Sequence, residues 1–404
     1  MTEKKAEKIY FLNGIKGMSA IIVVIYHLLS AVYPPIINKT ALIRPESLFL
    51  TKIGISPLNI FFDGDLAVAF FFLISGFFNA KTCFNTEFNG DSGNFIKKYL
   101  ALEPYKNLYK RYIRLTPYIF ISVMLIYISL KTGLNKSHEL AQAAQSGWLF
   151  QFYNEPVNLG STLAEALYGN VFFGVCKLNP ILWCMHYILL GSCCVVITVA
   201  IVMGRDSKHR AMIYTALFTV TMLARTYISV YFIAVALYDY YNERDNIKIP
   251  GYIYMAALFV GLFFASYPAE FPTDNTVYAV MSAIFDTPVF WHYIGAALII
   301  FAFFGIEELQ KFMSCRILLF LGDISYEIYI LGFLLQNTVF ASIFLYYYNK
   351  GYYGRGFLIA TVVTFALLII LSVILKKVYY NFEKICTGMF ASVKERLLNC
   401  SFIR

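Results

Sequence analysis

Lys16 and His27 lie eleven residues apart in the apolar run IKGMSAIIVVIYHLLSAV. Helical rise sets the imidazole about 16 Å beyond the ammonium along one helix. An ionisable side chain inside a lipid-spanning segment is costly, and where one persists it marks a functional site. A cation at one membrane face can hold an anionic donor, while an imidazole deeper in the helix accepts a proton or briefly carries the transferred group.

Other residues fit the same chemistry. Arg111 and Arg114 in KRYIRLTP are three apart and share a helix face, where guanidinium forks pair bidentately with phosphate oxygens. Asp65, near the outer end of the second apolar run, is expected within roughly 5 Å of the depth of His27 and is its candidate carboxylate partner. His186 is expected at a similar level, at a loop edge. Glu327, eleven residues into the run that begins at Arg316, is read as a buried carboxylate. Ser75 and Gly76 in FFFLISGFF suit close helix packing better than nucleophilic catalysis. No GxSxG, P-loop, GxGxxG or HExxH pattern stands where its chemistry would work.

The elements that must position these residues are membrane helices. The 404 residues are 59% hydrophobic and 14% charged, against about a quarter charged in a soluble domain. Ten runs are long or apolar enough to suggest crossings, near 15–34, 61–80, 114–131, 181–203, 209–224, 226–241, 250–267, 288–305, 316–346 and 355–376. The expected fold is therefore an all-α polytopic bundle of about ten transmembrane helices. Placing both termini in the cytoplasm leaves 24 Lys and Arg inside and 9 outside, as the positive-inside rule requires. The net charge of +9 is spread over short connections rather than gathered into a nucleic-acid-binding domain. Of the eight cysteines, Cys184, Cys193 and Cys194 share an apolar run, and none has metal-ligand spacing. The stretch 132–180 is expected outside, folded over the outer face. Residues 1–380 form the bundle, and 381–404 a short cytoplasmic tail.

Taken in order, FLNGIKGMSAIIVVIYHLLS, AFFFLISGFF, KRYIRLTP, NPILW and LGDISYEIYIL resemble the integral-membrane acyltransferase-3 family over residues 11 to 332. The resemblance implies a bacterial plasma-membrane enzyme that moves an acyl group, usually acetyl, from cytoplasmic acyl-CoA to a hydroxyl of a cell-surface glycan or lipid-linked saccharide. It implies acetyl-CoA or another acyl-CoA as co-substrate and no metal. Lys16, Arg111 and Arg114 would hold the nucleotide phosphates. His27 would act as base or acyl carrier, with Asp65 and Glu327 as helpers. Lys16 stands where Arg is commoner, Gly332 where the late motif often has His, and CMHYILLG lacks a glutamate seen in some members. No second extracytoplasmic domain is expected, which leaves room for a glycan-assembly partner protein. The alternative class is a transporter or flippase of glycan or lipid intermediates, which would show paired inverted repeats.

Overall fold

The computed structural model describes residues 9–37, 47–85, 95–244 and 247–401, with side chains left aside at 47, 95–108 and 381–401. Every element among them is helical. The helices that matter below are α1 (Tyr10–Val32), α2 (Gly64–Phe84), α3 (Phe95–Lys131), α4 (Trp183–Val202), α5 (Ser207–Leu223), α6 (Ser229–Glu243), α7 (Gly251–Ala265), α8 (Pro288–Gly305), α9 (Arg316–Asp323), α10 (Ser325–Leu335) and α11 (Tyr353–Ser401).

Seven segments have the length and apolarity of a membrane crossing: Tyr10–Val32, Gly64–Phe84, Tyr109–Lys131, Pro180–Val202, Pro288–Gly305, Ser325–Tyr348 and Tyr353–Tyr380. The shorter helices α5, α6 and α7 occupy the three other expected runs. Arg225 turns the α5–α6 connection with a positive φ of 53°, and Arg210 ties the far ends of that hairpin through Asp239, at 2.8 Å, and Glu243.

Helix α2 is the hub, packing against α1, α4, α6 and α8. Its consecutive apolar residues leave no polar face, as befits a helix surrounded by protein, and Leu66, Ala69, Phe72, Leu73 and Phe77 are almost wholly buried. An Asp63 side chain caps its first turn by accepting from the Leu66 amide at 2.8 Å.

Three expectations require correction. The run 316–346 is not one crossing, because the chain breaks at Ile324, between α9 and α10. Glu327 therefore stands in the first turn of α10, not eleven residues inside a helix. Close contact forces the break: an added Cβ on Gly17 would lie 2.5 Å from the Gly322 backbone nitrogen, so α9 presses directly on α1. An unbroken apolar run gives no sign of such a crossing.

The stretch 132–180 also does more than cover one face. Residues near 146 do lie over the end of α1, where the Ser146 hydroxyl donates to the Ser30 carbonyl at 2.7 Å. The following part descends along α3. Tyr112 donates to the Leu167 carbonyl at 2.8 Å, and the Asn179 amide donates to Ser122 at 2.7 Å, well inside the α3 crossing. Buried polar side chains hold this descent, which explains why hydropathy alone misses it.

Finally, helix α11 runs on to Ser401, so the expected tail continues the last helix.

Candidate functional site

At the Lys16 end of the bundle a cavity of about 540 Å³ opens between α1, α2, α3, α10 and α11. Lys16, Arg111, Arg114 and Glu327 all line it. Lys376, from α11, joins them; sequence reasoning treated it as the end of the last apolar run. Four cations thus share the space with two carboxylates, Asp323 and Glu327.

Each group is positioned by packing that the sequence makes local. The Gly17–Gly322 contact holds α9 against the lysine turn, and Asn13 extends it by donating to Asp323 at 2.9 Å and to the Leu319 carbonyl at 3.2 Å. Lys376 donates to the Asp323 carbonyl at 2.6 Å. Arg111 donates to the Ser75 hydroxyl at 2.7 Å and to its carbonyl at 3.3 Å. Ser75 is therefore a rest for the guanidinium, while Gly76 packs against Tyr231 and Ala234. Tyr118 donates to Glu327 at 2.9 Å, which satisfies one carboxylate oxygen.

Lys16 and Arg114 make no ion pair or hydrogen bond with any described residue, although Lys16 lies within the fields of Arg114, Lys376, Asp323 and Glu327. Two cations left without partners in one cavity are suited to a polyanion with several phosphate groups.

The cavity ends at Tyr329, which donates to the Ile181 carbonyl and accepts from the Cys184 thiol at 3.1 Å. His27 does not line it. The imidazole is half-buried and lies flat against Trp148, with centroids 5.6 Å apart and planes 8° from parallel. Phe333 meets it edge-on at 6.3 Å and Tyr26 at 5.5 Å. Neither ring nitrogen has a hydrogen-bond partner among the described residues. Trp148 carried no functional weight in the sequence, where nothing links a residue of an outer connection to a histidine over a hundred positions away.

Asp65 is not beside His27. It lines a small pocket with Tyr26, Asp63, Asn59 and Glu270, where His292 lies 3.4 Å from Asp63. Residues 26 and 27 point about 100° apart on a helix, so the carboxylate serves the Tyr26 face and the imidazole faces the aromatic one. His186 fastens the descending segment, its Nδ1 lying 3.0 Å from the Val171 carbonyl.

A family model described as an acyltransferase domain, that of the acyltransferase-3 family, matches residues 9–377, from the start of α1 to just past Lys376. No curated protein and no solved structure matches the chain.

Proposed function

The chain belongs to the acyltransferase-3 family, and from that premise we propose that this membrane acyltransferase moves an acetyl or other acyl group from cytoplasmic acyl-CoA to a hydroxyl of a cell-surface glycan or lipid-linked saccharide. The observation that carries the reading is the cavity in which Lys16 and Arg114 stand without partners beside Arg111 and Lys376. Its charge suits the diphosphate and 3′-phosphate of coenzyme A, and its tyrosine-rich wall suits the apolar arm that follows them.

The thioester would pass Tyr329 towards His27. Tyr329 and Phe333 are four residues apart on α10, hence on one face and about 6 Å apart along the axis, and Phe333 touches the imidazole. With His27 as base, its free nitrogen takes the proton from the acceptor hydroxyl. The oxygen then attacks the thioester carbonyl, the C–S bond breaks, and the thiolate leaves with that proton. Glu327 orders Tyr118 at the cavity wall; Asp65 acts, if at all, through Tyr26.

The test is transfer from labelled acetyl-CoA in proteoliposomes bearing native acceptor extract, comparing wild type with His27→Ala. Transfer should disappear while coenzyme A still raises the Tm of both proteins. Undiminished transfer by the folded variant would remove His27 from the reaction, and no stabilisation by coenzyme A would overturn the donor assignment in favour of the transporter reading.

A further inference from the structure

We propose that Asn135, Asn179 and Asn337 form the subsite that holds the acceptor, and that it takes neighbouring hydroxyls of an uncharged saccharide. The inference rests on the acyl-transfer reading above.

The three amides come from separate elements: the end of α3, the foot of the descending segment, and a π-helical turn, Gln336–Phe340, that continues α10. They converge around Tyr153. Its hydroxyl donates to the Leu178 carbonyl at 2.8 Å, Asn179 is the next residue, and Asn135 and Asn337 both approach the same hydroxyl. Asn179 and Asn337 are 0% and 1% exposed. One end of the set is fixed: Asn179 Nδ2 donates to Ser122, Asn135 Oδ1 accepts from the Ser137 amide, and the Asn337 carbonyl accepts from the Lys136 amide.

The other end is unspent. Asn179 Oδ1, Asn135 Nδ2 and both side-chain polar atoms of Asn337 are buried without a partner, as are both amide atoms of the adjacent Gln336. Buried polar groups are nearly always satisfied, and π turns recur at functional sites. The unspent set mixes donors with acceptors. An anion would need donors alone and a metal ion acceptors alone, whereas adjacent hydroxyls, each donor and acceptor, match the mixture. Glu165, whose charge reaches Tyr153, disfavours an anion further; its oxygens accept from the Leu178 amide at 3.0 and 3.3 Å.

Location makes the subsite useful. Asn337 follows Phe333 by four residues, so it lies about one helical turn beyond the ring that touches His27. Phe152, beside Tyr153, meets Phe333 at 5.6 Å. Tyr329, Phe333 and Asn337 thus arrange the end of the donor cavity, the imidazole contact and the acceptor amides in order along α10. The acceptor enters from the side covered by Trp148 and Phe152.

The test measures transfer from labelled acetyl-CoA in proteoliposomes, titrated with a deproteinised glycan and glycolipid extract of the cells that make the protein. Asn337→Leu should raise the half-saturating extract concentration about tenfold or more, as expected when hydrogen bonds to a substrate hydroxyl are lost. The KM for acetyl-CoA and the Tm shift with coenzyme A should stay unchanged. An unaltered extract titration, with or without a higher Tm, would show that the amides are merely structural or hold water, and would overturn the subsite. Should Asn337→Leu fail to fold, Asn135→Ala, at a half-buried position after α3, carries the same two outcomes. Wild type that transfers nothing from acetyl-CoA fails the proposed function and takes the subsite with it; normal transfer with unaltered variants rejects the subsite alone.

Discussion

The two ends of the bundle are polar in different ways. Around Lys16 the cavity is built from formal charge, with four cations against two carboxylates and two of the cations unpaired. Beyond His27 the unsatisfied groups are neutral amides on a background of aromatic rings. Charge acts over a distance and tolerates a mobile ligand, whereas amides discriminate only at contact. One helix, α10, serves both, which couples the regions mechanically while leaving their chemistry separate.

Substitutions can break that separation or sharpen it. The largest effect is expected for His27→Ala: a fall of about 10²- to 10⁴-fold in transfer rate, the range of a lost general base, with coenzyme A stabilisation intact. Loss of both together would mean that the ends are not independent. Gly17→Val should come next, since its side chain would strike the Gly322 backbone rather than a movable side chain. A loss of about 3 kcal/mol or more is expected, read as a lower Tm together with lost coenzyme A binding, because Lys16 is carried by the same turn.

Lys16→Gln and Arg114→Gln should each raise the KM for acyl-CoA by about tenfold or more, the scale of one lost charged hydrogen bond, without moving the acceptor titration. Lys16→Arg should restore binding, because a fork can replace the point charge. The smallest effect is expected for Trp148→Leu. Removing one ring stacked on the imidazole should lower kcat by about two- to tenfold, in line with the worth of an aromatic pair, and Trp148→Phe should recover most of it. A change in the acyl-CoA KM instead would place Trp148 in the donor path.

Much of the donor region was legible in the chain. Lys16, Arg111 and Arg114 each sit beside an apolar run whose helical spacing fixes their level, and all three meet in the cavity. Glu327 was found but misplaced in depth, because the Gly17–Gly322 contact that breaks its helix is a tertiary event between residues about three hundred positions apart. Lys376 looked like an anchor, since nothing local tells which face of α11 meets α9. The amides were illegible for the opposite reason. Asn135, Asn179 and Asn337 are scattered, ordinary residues, and their meaning arises only from burial without partners. Asp65 shows the limit of depth arguments: rise along a helix gives level, yet azimuth decides contact, and the level shared with His27 left the two on different faces.

The π turn at Gln336–Phe340 has a consequence for how this segment tolerates length changes. Such a turn accommodates an extra residue relative to α-helical winding, so deleting one position there would let the coil close up regularly and swing all that follows by about 100° relative to Phe333. Lys136 would lose the carbonyl it docks on at 2.7 Å. Sequences sharing this arrangement should therefore conserve the residue count between Tyr329 and Ala341 more strictly than the residue types that fill it.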